Sequence, residues 1–115
     1  MTNTAVVEQA PEQRQLAPYQ SAIQRAKDKF AQVAAATVNY DRESIFAMQA
    51  LMKTDFAMKT ANNNPKSVHL AMINVASTGL TLNPANGYAY LVPRDGAIHL
   101  DISYKGLIKI ATDTG

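Results

Sequence analysis

The sequence contains no cysteine and no tryptophan among its 115 residues. The lack of cysteine excludes a disulfide framework, a thiol nucleophile and a zinc site built on thiolates. No apolar run reaches the roughly 18 residues that a membrane span needs. The amino terminus also lacks the basic region and apolar run of a secretory signal. We therefore expect a cytoplasmic protein without membrane contacts.

Excess charge of either sign is also scarce, because 11 Lys and Arg residues face 9 Asp and Glu residues and leave a net charge of +2. This weak basic balance permits a local phosphate-binding patch but does not require one. The 47% hydrophobic content is typical of a globular protein, and the length allows one domain. Residues 1–17 hold few large apolar side chains, so we predict a disordered tail followed by a domain over residues 18–115.

Apolar residues at helical spacing predict two helices in the first half of this domain. The first begins at Pro18, which suits a first helical turn, and its apolar positions are Tyr19, Ile23, Ala26, Phe30, Val33 and Thr37. Asn39 or Asp41 can cap the second helix. Its apolar stripe is Ile45, Met48, Met52 and Phe56, and we expect this methionine-rich helix to contribute to the core or to a subunit interface.

A third helix is predicted to begin at Pro65, with Asn64 as its cap, and to end at Gly79 in a left-handed conformation. Its apolar residues point in several directions, which is typical of a helix central to the core. A fourth helix is expected from Tyr104 or Lys105 onward. Between the last two helices, Asp95-Gly96 separates two alternating runs, which strongly indicates a β-hairpin. The predicted fold class is therefore α+β, with three helices, one antiparallel hairpin and a further helix.

A two-residue turn sets the register of this hairpin, so that Arg94 faces Ala97 and Tyr90 faces Asp101. Side chains alternate across a strand. One face then carries only apolar residues and is expected to pack on the helices: Ala89, Leu91, Pro93, Ile98, Leu100 and Ile102. The other face is mixed and aromatic: Tyr88, Tyr90, Val92, His99, Asp101 and Ser103.

Several residues near the hairpin could contact a polyanion. Lys105 stands at a predicted helix start, where exposed amides attract phosphate, and Lys109 follows one turn later. Arg94 stands at the hairpin tip, and Gly106 allows a backbone to approach closely. The alternatives are ordinary: the lysines would be a solvated helix face, and Arg94 a charge that protects an edge strand from aggregation.

Two further residue types allow a binding role and a structural one. Tyr88 and Tyr90 could stack on bases, although tyrosines on a small sheet are more often packing residues. Asn83 and Asn86 are most simply turn formers, and Asn86 could also donate to a phosphate.

Catalytic chemistry finds no support in the residue pattern. His69 and His99 have no partner at metal-ligand spacing, and no recognisable carboxylate pair is present. A Gly-rich loop ending in Lys-Ser or Lys-Thr is also missing, which argues against ATP-driven chemistry. We therefore predict a protein that is not an enzyme and uses no cofactor or metal.

The order of motifs over residues 65–115 resembles the RecT/Red-beta family of phage single-strand annealing proteins. It consists of Gly79-Leu80, then Asn83-Pro84, then Gly87-Tyr88-Ala89-Tyr90-Leu91-Val92-Pro93, and finally Tyr104-Lys105-Gly106 at a helix start. Earlier residues match only in the placement of helices. Because members of this family continue further, the resemblance implies that the chain is the amino-terminal part of a larger annealing fold.

The resemblance implies ATP-independent binding of single-stranded DNA and annealing of complementary strands in the bacterial host cell. It also implies an annealed duplex intermediate, self-association into rings or filaments, and a phage 5′→3′ exonuclease as a partner. It favours the DNA-binding interpretation of Lys105, and the predicted contacts are Lys105, Arg94, Lys109, Tyr104, Gly106, Tyr88 and Asn86. The alternative function is a helical-plus-hairpin interaction module that binds another protein and no DNA.

Overall fold

The computed structural model describes residues 16–114, and the predicted tail lies almost entirely outside this part. Five helices precede the hairpin and one follows it: α1 Pro18–Arg25, α2 Lys27–Val33, α3 Tyr40–Leu51, α4 Asp55–Asn63, α5 Pro65–Thr78, β1 Ala89–Arg94, β2 Ala97–Ile102 and α6 Tyr104–Thr114. The predicted α+β class is confirmed. The number of helices differs, because each of the first two predicted helices is divided in two. No helix within residues 16–114 is long and apolar enough to cross a membrane.

The first predicted helix is interrupted at Ala26 and ends at Val33. Its apolar spacing is correct as far as Phe30, which is fully buried. The prediction is wrong beyond that point, because Ala34 is extended and the Ala35 amide donates to the Ala76 carbonyl at 3.3 Å. Alanine is the best helix former, so a tertiary contact has overridden local propensity here.

The second predicted helix also ends early, at Leu51, and Thr54 caps a new helix by accepting from the Ala57 amide at 3.0 Å. Asn39 is the amino-terminal cap of α3, and it is one of the two caps predicted for this helix. The predicted apolar stripe faces the core only at Met48, since Ile45, Met52 and Phe56 are 57%, 57% and 63% exposed. The buried positions are instead Glu43, Ala47, Leu51, Ala57, Thr60 and Ala61. Small residues let these two helices pack closely, and no period of large apolar side chains reports that.

Helix α5 lies at the centre of the molecule, as the sequence predicts. Asn64 caps it by accepting from the Ser67 amide, and Gly79 ends it at φ 71°. Its buried residues pack against α1, α2 and the hairpin: Val68, Ala71, Met72, Val75 and Ala76. This helix is the support on which the other elements are placed.

The hairpin has the predicted register, with Arg94 opposite Ala97 and Tyr90 opposite Asp101. Asp95 and Gly96 both have positive φ, which the tight turn requires. The apolar face packs inward, with Ala89, Leu91 and Ile98 buried. The outer edge of β2 is covered by α5, because the Ile98 amide donates to the Ser67 hydroxyl at 2.8 Å.

Candidate functional site

The base of the hairpin, where residues 87 and 88 meet the start of α6, is crowded and polar. The Ser103 hydroxyl lies 2.7 Å from the Gly87 carbonyl oxygen and 3.0 Å from that of Tyr88. The Ser103 hydroxyl oxygen also accepts from the Gly106 amide at 3.0 Å and so caps the first turn of α6. Because the Gly106 amide already has this partner, it is not free to bind a phosphate. The positive charge of the site therefore comes from side chains.

Gly106 owes its identity to this packing. A Cβ at this position would lie 2.2 Å from the Tyr88 carbonyl oxygen and 2.9 Å from the Ile102 side chain. The close backbone approach expected from sequence is thus made by the hairpin itself. It brings the first turn of α6 directly against the end of β1.

Two lysines of α6 lie beside Tyr88. The Lys105 ammonium is 5.7 Å from the centre of the Tyr88 ring, which is a cation–π distance. Lys109 lies one turn further and donates to both carboxylate oxygens of Asp113, at 2.9 and 3.0 Å. These bonds raise the pKa of Lys109 above its ordinary value. Lys105 is exposed, so its charge is accessible to a ligand.

A polar cavity of about 300 Å³ opens beside this lysine pair. Residues from four separate segments line it: Thr37, Arg42, Gly79, Thr81, Asn83, Asn86, Tyr88 and Lys109. Arg42 belongs to the first turn of α3 and Lys109 to α6, so cations from distant parts of the chain reach one cavity. The lining combines cationic and amide groups, which can donate to phosphate oxygens, with two threonine hydroxyls that donate within the protein.

The buried carboxylate of Glu43 fixes one wall of this cavity. Glu43 is fully buried, and it accepts from the Leu82 amide and the Thr81 hydroxyl, each at 2.7 Å. Asn83 continues the wall as a turn former, since its side chain accepts from the Ala85 amide at 3.0 Å. Charge-assisted hydrogen bonds from a buried carboxylate are strong. They hold the loop over residues 80–88 against α3.

Arg94 lies at the other end of the hairpin. The six-residue step from Tyr88 to Arg94 corresponds to roughly 20 Å along an extended strand. Arg94 binds Asp101 through two parallel hydrogen bonds of 2.8 and 2.9 Å. The hydrogen bonds to Asp101 raise the pKa of Arg94, and those same bonds lower the pKa of Asp101. This guanidinium is exposed but already paired.

The structure brings six of the seven predicted contacts together at the hairpin base: Lys105, Lys109, Tyr88, Asn86, Tyr104 and Gly106. Tyr104 is 80% exposed on the outside of α6. Arg94 lies at the far end of β1, but its guanidinium reaches back to Asp101, which lies opposite Tyr90. Arg94 stands on the mixed face of the hairpin that also carries Tyr88, so neither it nor Lys105 is sealed or turned to the opposite side.

Sequence reasoning missed Arg42, Glu43, Thr37 and Thr81. The one signal that could have found them is local: an Asp-Arg-Glu run directly after the Asn39 cap places charge of both signs on the first turn of a helix. Nothing in the sequence relates that turn to residues 80–88, because the contact is long-range. Within residues 16–114, no three His, Asp or Glu side chains lie together as a metal site would need.

A second concavity, the apolar groove, runs along β1 and is bounded by α3 and α4. Its volume is about 530 Å³. Most of its lining is apolar: Phe46, Ala50, Ala57, Leu82, Pro84, Tyr90, Leu91, Val92 and Pro93, with Gln49, Lys53 and Thr54 at the sides. The exposed Met52 and Phe56 are chain neighbours of groove residues Lys53 and Ala57.

Comparison with known proteins assigns the chain to a family. The RecT family sequence profile matches residues 28–115 and so includes α2 to α6, the hairpin and the polar cavity. The chain belongs to the RecT family. RecT proteins act in phage-type recombination by single-strand annealing. No curated protein and no solved structure gives a match to this RecT chain.

Proposed function

We propose that this RecT chain binds single-stranded DNA and anneals complementary strands without ATP. The observation that carries the proposal is the grouping of Lys105 and Lys109 around Tyr88, beside a polar cavity inside the family-matched region. An exposed lysine next to a second cation and to amide donors suits the phosphates of a nucleic-acid backbone. The net charge of +2 agrees with a local patch in place of a uniformly basic surface.

The mechanism follows from which part of the nucleotide these groups bind. Phosphate contacts position a strand without reading its sequence, and they leave the base edges free. A second strand can then test pairing, and base pairing and stacking drive formation of the annealed duplex. No covalent bond is made or broken, so the site needs to supply position and charge only.

Each predicted contact has a role in this proposal. Lys105 and Lys109 would hold successive phosphates, and Asn86 would donate to one of them from the cavity wall. Tyr88 would support Lys105 and offer its free ring face to a base, while the exposed Tyr104 would stack at the outer side. Gly106 contributes by letting α6 approach the hairpin. Arg94 would join by exchanging Asp101 for a phosphate.

We also propose that RecT chains of this kind self-associate into rings or filaments, with a phage 5′→3′ exonuclease supplying the single strand. The apolar groove and the exposed Ile45, Met52 and Phe56 support a protein contact, because contiguous exposed apolar surface marks interaction sites. The same surface supports the alternative, an interaction module without DNA binding. That module would leave an oligo-dT probe unbound even at low salt.

The first test is Lys105→Ala, measured by the anisotropy of labelled oligo-dT over a series of salt concentrations. Losing one phosphate contact should lower the log–log salt slope by about 0.7 and weaken binding about fivefold at about 0.1 M salt. Lys59→Ala, which removes an exposed lysine of α4, is the matched control and should leave the slope unchanged. An unaltered slope for Lys105→Ala would reject its role.

A further inference from the structure

Arg42 shares the polar cavity with Lys109 and Asn86, although it belongs to a different helix. We propose that Arg42 is a further contact for the nucleic-acid backbone. It would act from the part of the cavity wall that α3 supplies, whereas Lys109 belongs to α6. This inference rests on the proposed function and adds to it a residue from the first half of the chain.

The Arg42 side chain has donors to spare. It is 51% exposed, and its Nε lies 3.7 Å from the Glu43 carboxylate. One terminal nitrogen donates to the Thr37 carbonyl oxygen at 3.4 Å. A guanidinium carries five N–H donors in a planar fork. These two long contacts orient the group and leave several donors for a phosphate, which Arg binds in bidentate geometry.

Glu43 has hydrogen-bond partners other than Arg42 for both of its carboxylate oxygens. Its two oxygens each accept a 2.7 Å hydrogen bond, from the Leu82 amide and the Thr81 hydroxyl. The 3.7 Å contact to Arg42 is therefore secondary for the carboxylate. In contrast, the Lys109 ammonium binds both oxygens of Asp113 at 3.0 Å or less. Of the two cations that line the cavity, Arg42 is the less fully engaged.

Helix stability does not account for an arginine at this position. Arg42 stands three residues after the Asn39 cap, in the first turn of α3, and its amide donates to the Asn39 side chain at 2.9 Å. The amino-terminal end of a helix carries partial positive charge, so a cation in the first turn is disfavoured and an acidic residue preferred. The neighbours Asp41 and Glu43 follow that preference, and Arg42 does not. The contacts to Glu43 and to the Thr37 carbonyl hold this arginine at the helix end, and a ligand of negative charge would use the donors that they leave.

The experiment compares Arg42→Ala with Arg25→Ala, both in the 115-residue chain, by oligo-dT anisotropy between about 50 and about 300 mM salt. Arg25 is exposed at the end of α1 and does not line the cavity, so it controls for the loss of one positive charge. We expect Arg42→Ala to lower the log–log slope by about 0.7 and to weaken binding about fivefold at about 0.1 M salt. Arg25→Ala should change neither, and Arg42→Lys should retain most of the slope.

The possible results separate this inference from the proposed function. A wild-type chain that binds oligo-dT while Arg42→Ala keeps the wild-type slope overturns the role of Arg42 and leaves the proposed function intact. Equal losses for Arg42→Ala and Arg25→Ala also overturn it, since the effect is then one of net charge. A wild-type chain that leaves oligo-dT unbound at the lowest salt rejects both.

Discussion

The base and the tip of the hairpin differ in almost every physical respect, although one six-residue strand connects them. At the base, Ser103 and Gly106 bring α6 against the Tyr88 carbonyl, and polar groups from four segments form a cavity. At the tip, a Cβ at Gly96 would have nothing within 4 Å, and Arg94 reaches back along the hairpin to the exposed Asp101, opposite Tyr90. The base is built by tertiary packing and the tip by local turn chemistry.

This difference shows that closeness in sequence to a binding motif does not leave a charge unpaired. Arg94 follows the Tyr88 motif directly along β1, yet its guanidinium is engaged by Asp101. Arg42 is far away in sequence, yet it reaches the cavity at the base. An available cation depends on what its neighbours leave unpaired, and only the folded chain decides that.

Replacing Gly106 and Gly96 in separate variants compares base and tip by folding stability. In Gly106→Ala, the new Cβ meets the Tyr88 carbonyl oxygen at 2.2 Å, so backbone must shift. Overpacking of this kind costs about 1–3 kcal/mol or more, against about 1 kcal/mol returned by better helix propensity. We expect a net loss of roughly 2 kcal/mol in the free energy of unfolding, measured by urea denaturation and circular dichroism.

Gly96→Ala is the matched change at the tip. Nothing lies within 4 Å of its Cβ, and the cost comes only from the positive φ of 77°. Alanine in this left-handed region loses about 1 kcal/mol. A larger loss for Gly96→Ala than for Gly106→Ala would contradict the description of the base as the tightly packed end.

The variant Asp101→Asn tests whether Arg94 can be made available to bind a phosphate. The change removes the carboxylate that occupies Arg94 through two hydrogen bonds. If the freed guanidinium takes one phosphate, the log–log slope rises by up to about 0.7 and oligo-dT binds up to about fivefold tighter at about 0.1 M salt.

The control for this variant is Asp28→Asn, an exposed carboxylate of α2 that changes the net charge equally. Equal tightening by both variants would mean that total charge, and not release of Arg94, sets the affinity. Our expectation is a change for Asp101→Asn alone.

The smallest effect we expect is a pH dependence of the stability that the Arg94–Asp101 pair contributes. The hydrogen bonds from Arg94 lower the pKa of Asp101 in the folded state below its value in the unfolded chain. The pair therefore contributes its full stability above the unfolded carboxyl pKa of about 3.9. That contribution is lost as the pH falls through the lowered folded value.

The measurement is the difference in unfolding free energy between the wild-type chain and Asp101→Asn. It should favour the wild type at neutral pH and shrink toward zero as the folded-state carboxylate is protonated. A difference that grows on acidification would show that the ion pair is not its source. Because both side chains are largely solvated, the whole effect is small.

Local stereochemistry explains which predictions from sequence were confirmed. The Asn64 cap with Pro65, the left-handed Gly79 and the Asp95-Gly96 turn each depend on a few adjacent residues. The hairpin register follows from its turn length, and the inward apolar face follows from alternation. These features are readable because each residue carries its own backbone preference.

The predictions that were wrong concern competition between local preference and distant contacts. Helix α2 ends at Val33 because the residues that follow it pack on the end of α5. There the Thr37 hydroxyl donates to the Gly79 carbonyl oxygen at 2.8 Å. Periodicity does not say which face of a helix is covered, so it leaves core and subunit interface as alternatives for the exposed Ile45, Met52 and Phe56. The predicted contacts at the base share one region because most of them are close in sequence.

The sequence by itself determined the hairpin, the caps, the α+β class and the motif order that indicates the RecT family. Each depends on short stretches of adjacent residues, where steric limits on φ and ψ leave few alternatives. Tertiary structure alone decided that Arg42 and Lys109 line one cavity and that Glu43 holds its wall. Such meetings depend on how separate segments pack around α5, and no single window of the chain contains that information.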